Sequence, residues 1–214
     1  MSVKYILKRS ERKTMSIKVE GGQIFVYAPV FTPKFMIDNF VKKHEKWIEG
    51  KLNDPRINVY FDLESDSEIY FLGKKYNLLL LTGQKFKFLI RDDSLILYGK
   101  SIRSIKTNYK KHLAAILSQY VNEVKYELGI DFELSFKLYK SRWGCCYSKK
   151  NLIILNYLLA CLPYELIKYV IYHEIAHFKQ GNHQKQFYQE LAKICPEYKR
   201  LADKLRDYTI LKKM

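Results

Sequence analysis

The sequence predicts an α+β chain in two packed lobes: a β-rich lobe with one helix over residues 1–100, then a helix-sheet-helix lobe over residues 101–214. Three observations predict it. Short runs rich in β-branched and aromatic residues, separated by Gly and Asp turn signals, recur as far as Gly99. From about Ser104 to Leu128 apolar residues then recur at helical spacing, and Gly129 follows. Near the C-terminus, Leu162, Leu166, Ile167, Val170 and Ile171 make a second helical apolar stripe that runs into three of the chain's five histidines.

In the first lobe, Met15-Ser16-Ile17-Lys18-Val19 alternates, Gly21-Gly22 offers a turn, and Ile24-Phe25-Val26-Tyr27 returns, which predicts a hairpin. A helix is expected from Pro33 to Leu52, with Phe35, Phe40, Trp47 and Ile48 as its apolar side and Pro55 closing the segment. Strands are expected over Ile69 to Leu72, Tyr76 to Leu81, Lys85 to Ile90 and Ser94 to Tyr98. In the second lobe, the long helix carries Leu113, Ile116, Leu117, Tyr120, Val121 and Val124 as core positions. A strand over Glu133 to Tyr139, a loop over Ser141 to Ser148 and a strand over Leu152 to Leu155 follow. There are no repeats or low-complexity linkers.

Composition narrows the class. The chain has 214 residues, 48% of them hydrophobic, and no apolar run reaches the roughly 20 residues that cross a bilayer. The start Met1-Ser2-Val3-Lys4-Tyr5 leads into charge rather than an apolar secretory segment. Four cysteines, with Cys145 and Cys146 adjacent, suggest no disulfide framework. A cytoplasmic protein without a membrane partner is expected, and no signal sets its oligomeric state. The formal charge of +16 raises affinity for polyanions. The basic clusters Lys8-Arg9 with Arg12-Lys13, Lys42-Lys43, Lys110-Lys111, Lys199-Arg200 and Lys212-Lys213 are dispersed, as on a solvated face. Nucleic acid, a nucleotide or an acidic peptide would all feel this field.

The chemistry concentrates in His173-Glu174-Ile175-Ala176-His177-Phe178-Lys179-Gln180-Gly181-Asn182-His183. Residues four apart share a helix face, so His173 and His177 can each offer a nitrogen to one ion. Glu174 sits a quarter turn round, placed to act on a metal-bound water without taking a coordination position. Gly181 is expected to leave the helix in a left-handed conformation that returns His183 as a third ligand. Three protein ligands with one open position describe a catalytic zinc site for one ion. His44 and His112 have no second ligand at such spacing and are read as ordinary histidines. Arg142 and Trp143 either clamp a substrate group or form a structural hairpin in which Arg142 pairs with Glu174 or Glu165. Adjacent cysteines lack the spacer common in zinc sites.

These residues resemble the YgjP-like metal-dependent hydrolases, related in their core to the SprT-like and minigluzincin zinc peptidases. The resemblance rests on Arg142-Trp143-Gly144-Cys145, Leu155-Asn156, Tyr169-Val170-Ile171-Tyr172-His173-Glu174-Ile175-Ala176-His177, Asn182-His183 and Phe187. More loosely it includes Arg9-Ser10-Glu11-Arg12-Lys13-Thr14-Met15, Trp47-Ile48 and Tyr70-Phe71-Leu72-Gly73-Lys74-Lys75-Tyr76. The family usually reads Ser near Cys145. The metzincins share the histidine spacing, but they place Gly where this chain has Gln180, and Met214 simply ends the chain. A thermolysin-like third ligand would be Glu190 or Glu197, and His183 is preferred.

The resemblance implies a zincin-like second lobe and a zinc metallopeptidase, with ligands His173, His177 and His183 and with Glu174 as general base. Arg142, Trp143 and Tyr188 are candidate substrate-binding residues, and Arg142 or Tyr188 a candidate oxyanion donor. An extended substrate is expected to pair with the strand Leu152 to Leu155. The alternatives are a uridine triphosphate pyrophosphatase, which some relatives imply, and a non-enzymatic nucleic-acid-binding protein with a structural zinc.

Overall fold

The computed structural model describes residues 4–20, 23–53, 57–59, 63 and 67–210. The Gly21-Gly22 turn, Pro55, Lys212-Lys213 and Met214 lie outside these. The chain divides into two compact units, residues 1–55 and 56–214.

In the first unit, β1 (Ile6–Ser10), β2 (Ser16–Glu20) and β3 (Gln23–Pro29) form a sheet in the order β1-β3-β2, parallel between β1 and β3 and antiparallel between β2 and β3. The expected Pro33–Leu52 helix is two helices, α1 (Lys34–Lys43) and α2 (Glu45–Leu52). The break has a local cause. His44 adopts φ −104° and ψ 11°, its N–H bonds to the Val41 carbonyl at 3.0 Å, and its Nδ1 lies 2.8 Å from the Phe40 carbonyl. Side chain and backbone thereby take the carbonyls that would continue the helix. The buried face also differs from the expected apolar side: Ile37, Val41 and Ile48 pack with Ile24, Val26 and Ala28, while Phe35 and Trp47 are exposed.

The second unit begins with β4 (Ile57–Val59) and contains a four-stranded sheet of β5 (Glu68–Phe71), β6 (Lys74–Thr82), β7 (Lys87–Arg91) and β8 (Ser94–Gly99), ordered β5-β6-β8-β7. The long helix α3 (Ile102–Leu128) starts where the Ser101 hydroxyl accepts the Ser104 N–H at 3.2 Å, and it closes on left-handed Gly129 at φ 62°. It buries Ile105, Tyr109, Leu113, Leu117, Val121 and Val124.

Next come β9 (Glu133–Lys137), β10 (Gly144–Tyr147) and β11 (Leu152–Asn156), then α4 (Tyr164–Ala176), α5 (Lys185–Ile194) and α6 (Tyr198–Leu205). Finally β12 (Tyr208–Ile210) pairs in parallel with β4. Leu162, Leu166, Ile167, Val170 and Ile171 are fully buried or nearly so, in one core with the inner face of α3. Between these helices, the Glu127 carboxylate of α3 accepts bonds from Lys168 Nζ at 2.8 Å and Tyr172 Oη at 2.9 Å on α4. Among the described residues no helix is long and apolar enough to cross a membrane.

Two expectations fail around the three-stranded sheet, which is ordered β10-β11-β9. The segment expected as a loop contains β10, antiparallel to β11 with Gly144 opposite Leu155 and Tyr147 opposite Leu152. Four residues are too few for alternation to reveal a strand, and pairing decides it. The strand Leu152–Leu155 cannot take an extended substrate, because β11 is central and bonded on both sides. The free edge beside α4 belongs to β10.

Candidate metal centre

The last turn of α4 supplies His173, Glu174 and, as its C-terminal cap, His177. The helix does not run on to Gly181. Phe178 N–H bonds to the Ile175 carbonyl at 3.0 Å, and Lys179 and Gln180 N–H both reach the Ala176 carbonyl at 3.1 Å, so tight turns use up the helix end first. Gly181 accordingly has no positive φ, and a Cβ there would meet nothing within 4 Å. The left-handed exit expected at Gly181 is replaced by these turns.

The turns return His183 to the helix. One nitrogen from each of His173, His177 and His183 lies within 4.8 Å of the others, and Nε2 of His183 stands 3.0 Å from Nε2 of His173. Zinc–imidazole bonds of about 2.0–2.1 Å in tetrahedral geometry separate ligand nitrogens by about 3.3 Å, so the donor set fits a zinc ion. His177 Nδ1 lies 3.0 Å from the Gln180 carbonyl; as the protonated nitrogen it leaves Nε2 free as a donor to a metal. Burial, followed by the neighbouring His177 and His183, pushes His173 down to about 4 and keeps it neutral at ordinary pH.

Phe187, on α5 and fully buried, makes the floor. Its ring centroid lies 4.9, 4.6 and 4.7 Å from those of His173, His177 and His183. A buried aromatic on a helix face reads in sequence as core, and only the family resemblance singled Phe187 out, without assigning it this seat under three imidazoles.

Glu174 lies against β10, lines the same cleft, and is outside the three-nitrogen group. It is 6% exposed, and burial pushes its carboxyl up to about 7 against the opposing field of Arg142 and a bond from the Cys146 N–H. The strand approaches so closely that a Cβ on Gly144 would lie 2.7 Å from Glu174 Oε1, 2.8 Å from Cγ and 2.9 Å from Cδ. Only glycine permits that approach. The segment before β10 is fixed by fully buried Asn156, whose Nδ2 donates to the Tyr139 and Arg142 carbonyls at 3.0 and 2.9 Å while its Oδ1 accepts the Leu158 N–H at 3.1 Å.

A cleft of about 500 Å³ opens over the three histidines and Glu174, lined also by Arg142, Trp143, Cys145, Cys146, Tyr169 and Leu205. Trp143 is half-buried against the core, and Arg142 is exposed, its guanidinium 5.6 Å from the Tyr139 ring. Glu165 is taken by Lys204 and Arg200, while Arg142 acts on Glu174 only through its field. Tyr188 does not line the cleft; its ring stacks on Tyr198 at 5.7 Å. Glu190 pairs with Lys193 and Glu197 with Arg200, away from the histidine group. His44 bonds to Phe40, and His112 packs on Phe88 at 4.3 Å. All four cysteines are free and none is in the donor group; burial, then Glu174 and Cys145, pushes Cys146 up to about 12.

Comparison with known proteins gives one family. The profile described as "YgjP-like, metallopeptidase domain" matches residues 13–208. Two solved structures are similar over less than half of this chain. The metallopeptidase zymogen abylysin of Pyrococcus abyssi is 22% identical, with a TM-score of 0.38, over 44% of this chain and 99% of its own. The zymogen jannalysin of Methanocaldococcus jannaschii is 28% identical, with a TM-score of 0.34, over 42% and 96%. No curated protein matches the chain.

Proposed function

The chain belongs to the YgjP-like metallopeptidase family, and on that premise we propose that it is a zinc-dependent peptidase with metal ligands His173, His177 and His183 and with Glu174 as general base. One observation carries the reading: a buried carboxylate, raised to about 7, stands beside three convergent imidazoles without joining them. A structural zinc wants a fourth protein donor, and among the described residues the group has three.

Zinc bound there would supply a Lewis acid that polarises a scissile carbonyl and acidifies water. Glu174, made a stronger base by its burial, takes the proton of the attacking water and passes it to the leaving amine. The Cys146 N–H and the close β10 backbone hold that carboxylate in one place, so its proton transfers occur over a fixed distance. The free edge of β10 offers backbone groups to an extended peptide, and Arg142 stands at its start as the candidate for a substrate carboxylate or a developing oxyanion.

The test is elemental analysis with turnover of a peptide panel. Wild type is expected to carry one zinc and cleave peptides, Glu174→Gln to keep the zinc and lose turnover, and His183→Ala to lose affinity for zinc. Unchanged activity in Glu174→Gln would sink the mechanism, and zinc-free wild type would sink the centre.

A further inference from the structure

The segments at the two ends of β10 carry charge of one sign. Between Glu133 and Glu165 the sequence has no acidic residue but five cations: Lys137, Lys140, Arg142, Lys149 and Lys150. All five are exposed. Among the described residues none has an ion-pair partner, whereas Glu165, the next carboxylate along the chain, is taken by Lys204 and Arg200. Glu133 and Lys137 both stand on β9, separated from β10 by β11, which leaves Lys140, Arg142, Lys149 and Lys150 as the cations at the ends of β10. Cations with nothing to neutralise them repel one another, and an arrangement of this kind is stabilised by an anionic partner.

Their placement follows the edge strand. Lys140 and Arg142 precede β10, Lys149 and Lys150 follow it in the adjoining 3-10 turn, and the strand between them lies against the helix that bears Glu174. A four-residue strand spans about 13 Å, so a peptide paired with its edge meets cations at both ends, about two to four residues from the point opposite Glu174 on one side and about five to six on the other. Between those ends the cleft presents Trp143, Tyr169, Val170 and Leu205. An oligonucleotide would be drawn by the same charge, but it has no amide groups to pair with a strand edge, and the pairing edge favours a polypeptide.

We infer that the substrate is an acidic polypeptide segment, with Asp or Glu on both sides of an apolar centre, selected by Lys140 and Arg142 at one end of β10 and by Lys149 and Lys150 at the other. This rests on the peptidase reading above, whose failure the following experiment separates from its own. Peptides with one apolar centre and flanks of Glu, Gln or Lys are compared for kcat/KM on zinc-loaded wild type. They are also compared for binding to Glu174→Gln by fluorescence anisotropy.

Exposed ion pairs are each worth a factor of about 1.5 to 5. Several together give the Glu-flanked peptide an advantage of about 10-fold over the Gln-flanked one at low salt. The advantage falls to within about twofold in 1 M NaCl, where the screening length is about 3 Å. In Lys149→Glu/Lys150→Glu the ratio shrinks or inverts. Tighter binding of the Glu-flanked peptide without cleavage of any peptide would uphold the acidic-segment surface and refute the peptidase reading. Equal binding and cleavage of Glu- and Gln-flanked peptides at low salt would overturn the inference, as would displacement only by a single-stranded oligonucleotide.

Discussion

Gly144→Ala tests whether the strand really sets the position of the carboxylate. The added methyl would lie 2.7 Å from Glu174 Oε1 and under 3.0 Å from Cγ and Cδ as well. That is roughly 0.5–0.7 Å inside ordinary contact at three atoms of one side chain, so rotation of the carboxylate alone cannot relieve it. Either the strand retreats from α4 or Glu174 moves as a unit. Overpacking of this kind costs about 1–3 kcal/mol, about 2–12 °C in Tm at 2–4 °C per kcal/mol for a chain of this length. Misplacing a catalytic group by about 1 Å costs on the order of 100-fold in rate. The atoms nearest that methyl all belong to Glu174 and none to a histidine, so zinc stoichiometry should hold. The assay is kcat on the best peptide of the panel, with zinc content and thermal unfolding measured on the same preparation. Because the substitution acts through Glu174, Gly144→Ala/Glu174→Gln should be no slower than Glu174→Gln alone. Wild-type kcat in Gly144→Ala, or a double variant much slower than Glu174→Gln, would refute the reasoning.

Phe187→Leu keeps an apolar floor but withdraws the ring from three imidazoles within 4.9 Å, and should weaken zinc binding about 10-fold in chelator competition while the fold survives; Phe187→Ala should cost about 3–5 kcal/mol in urea unfolding. Unaltered zinc affinity in both would remove Phe187 from the site. Gly181→Ala should leave zinc affinity unchanged and stability within about 0.5 kcal/mol, since no positive φ is needed there; a clear loss of either would restore the left-handed exit. Glu127 is held below its ordinary value of 4.5, first by the bond from Lys168 and then by that from Tyr172. Its folded-state pKa is depressed, so its contribution is present above pH 4.5 and is lost as pH falls through the folded value. Glu127→Gln should therefore be less stable than wild type near neutrality, with the gap closing below pH 4.5, and a gap constant in urea melts from pH 3.5 to 7 would contradict that sign.

What the sequence revealed and what it hid divide by distance along the chain. His173, His177 and His183 were legible because one helix and its exit bring them together, and helical spacing needs no knowledge of the rest of the fold. Even there the exit was misread, because a glycine is visible in sequence while the turns that spend the helix's last carbonyls at Phe178, Lys179 and Gln180 are not. The break at His44 was hidden for a similar reason, since a histidine ring bonding to its own helix competes with the pattern that predicts the helix. Gly144, Cys146 and Asn156 belong to another category. Gly144 and Cys146 act on Glu174 across about 30 residues and Asn156 on the segment before β10 across 14 and 17, where periodicity carries no signal. Yet these residues set the state of the carboxylate. The motif places a glutamate next to two histidines, but the pKa near 7 comes from burial against a strand that begins 30 positions earlier, at Gly144. An exposed glutamate in the same motif would keep its ordinary acidity and make a weaker base. On the proposed reading, the helix supplies the residues of the reaction and β10 gives one of them its strength, so the short strand the sequence concealed is as much a part of the site as the motif that announced it.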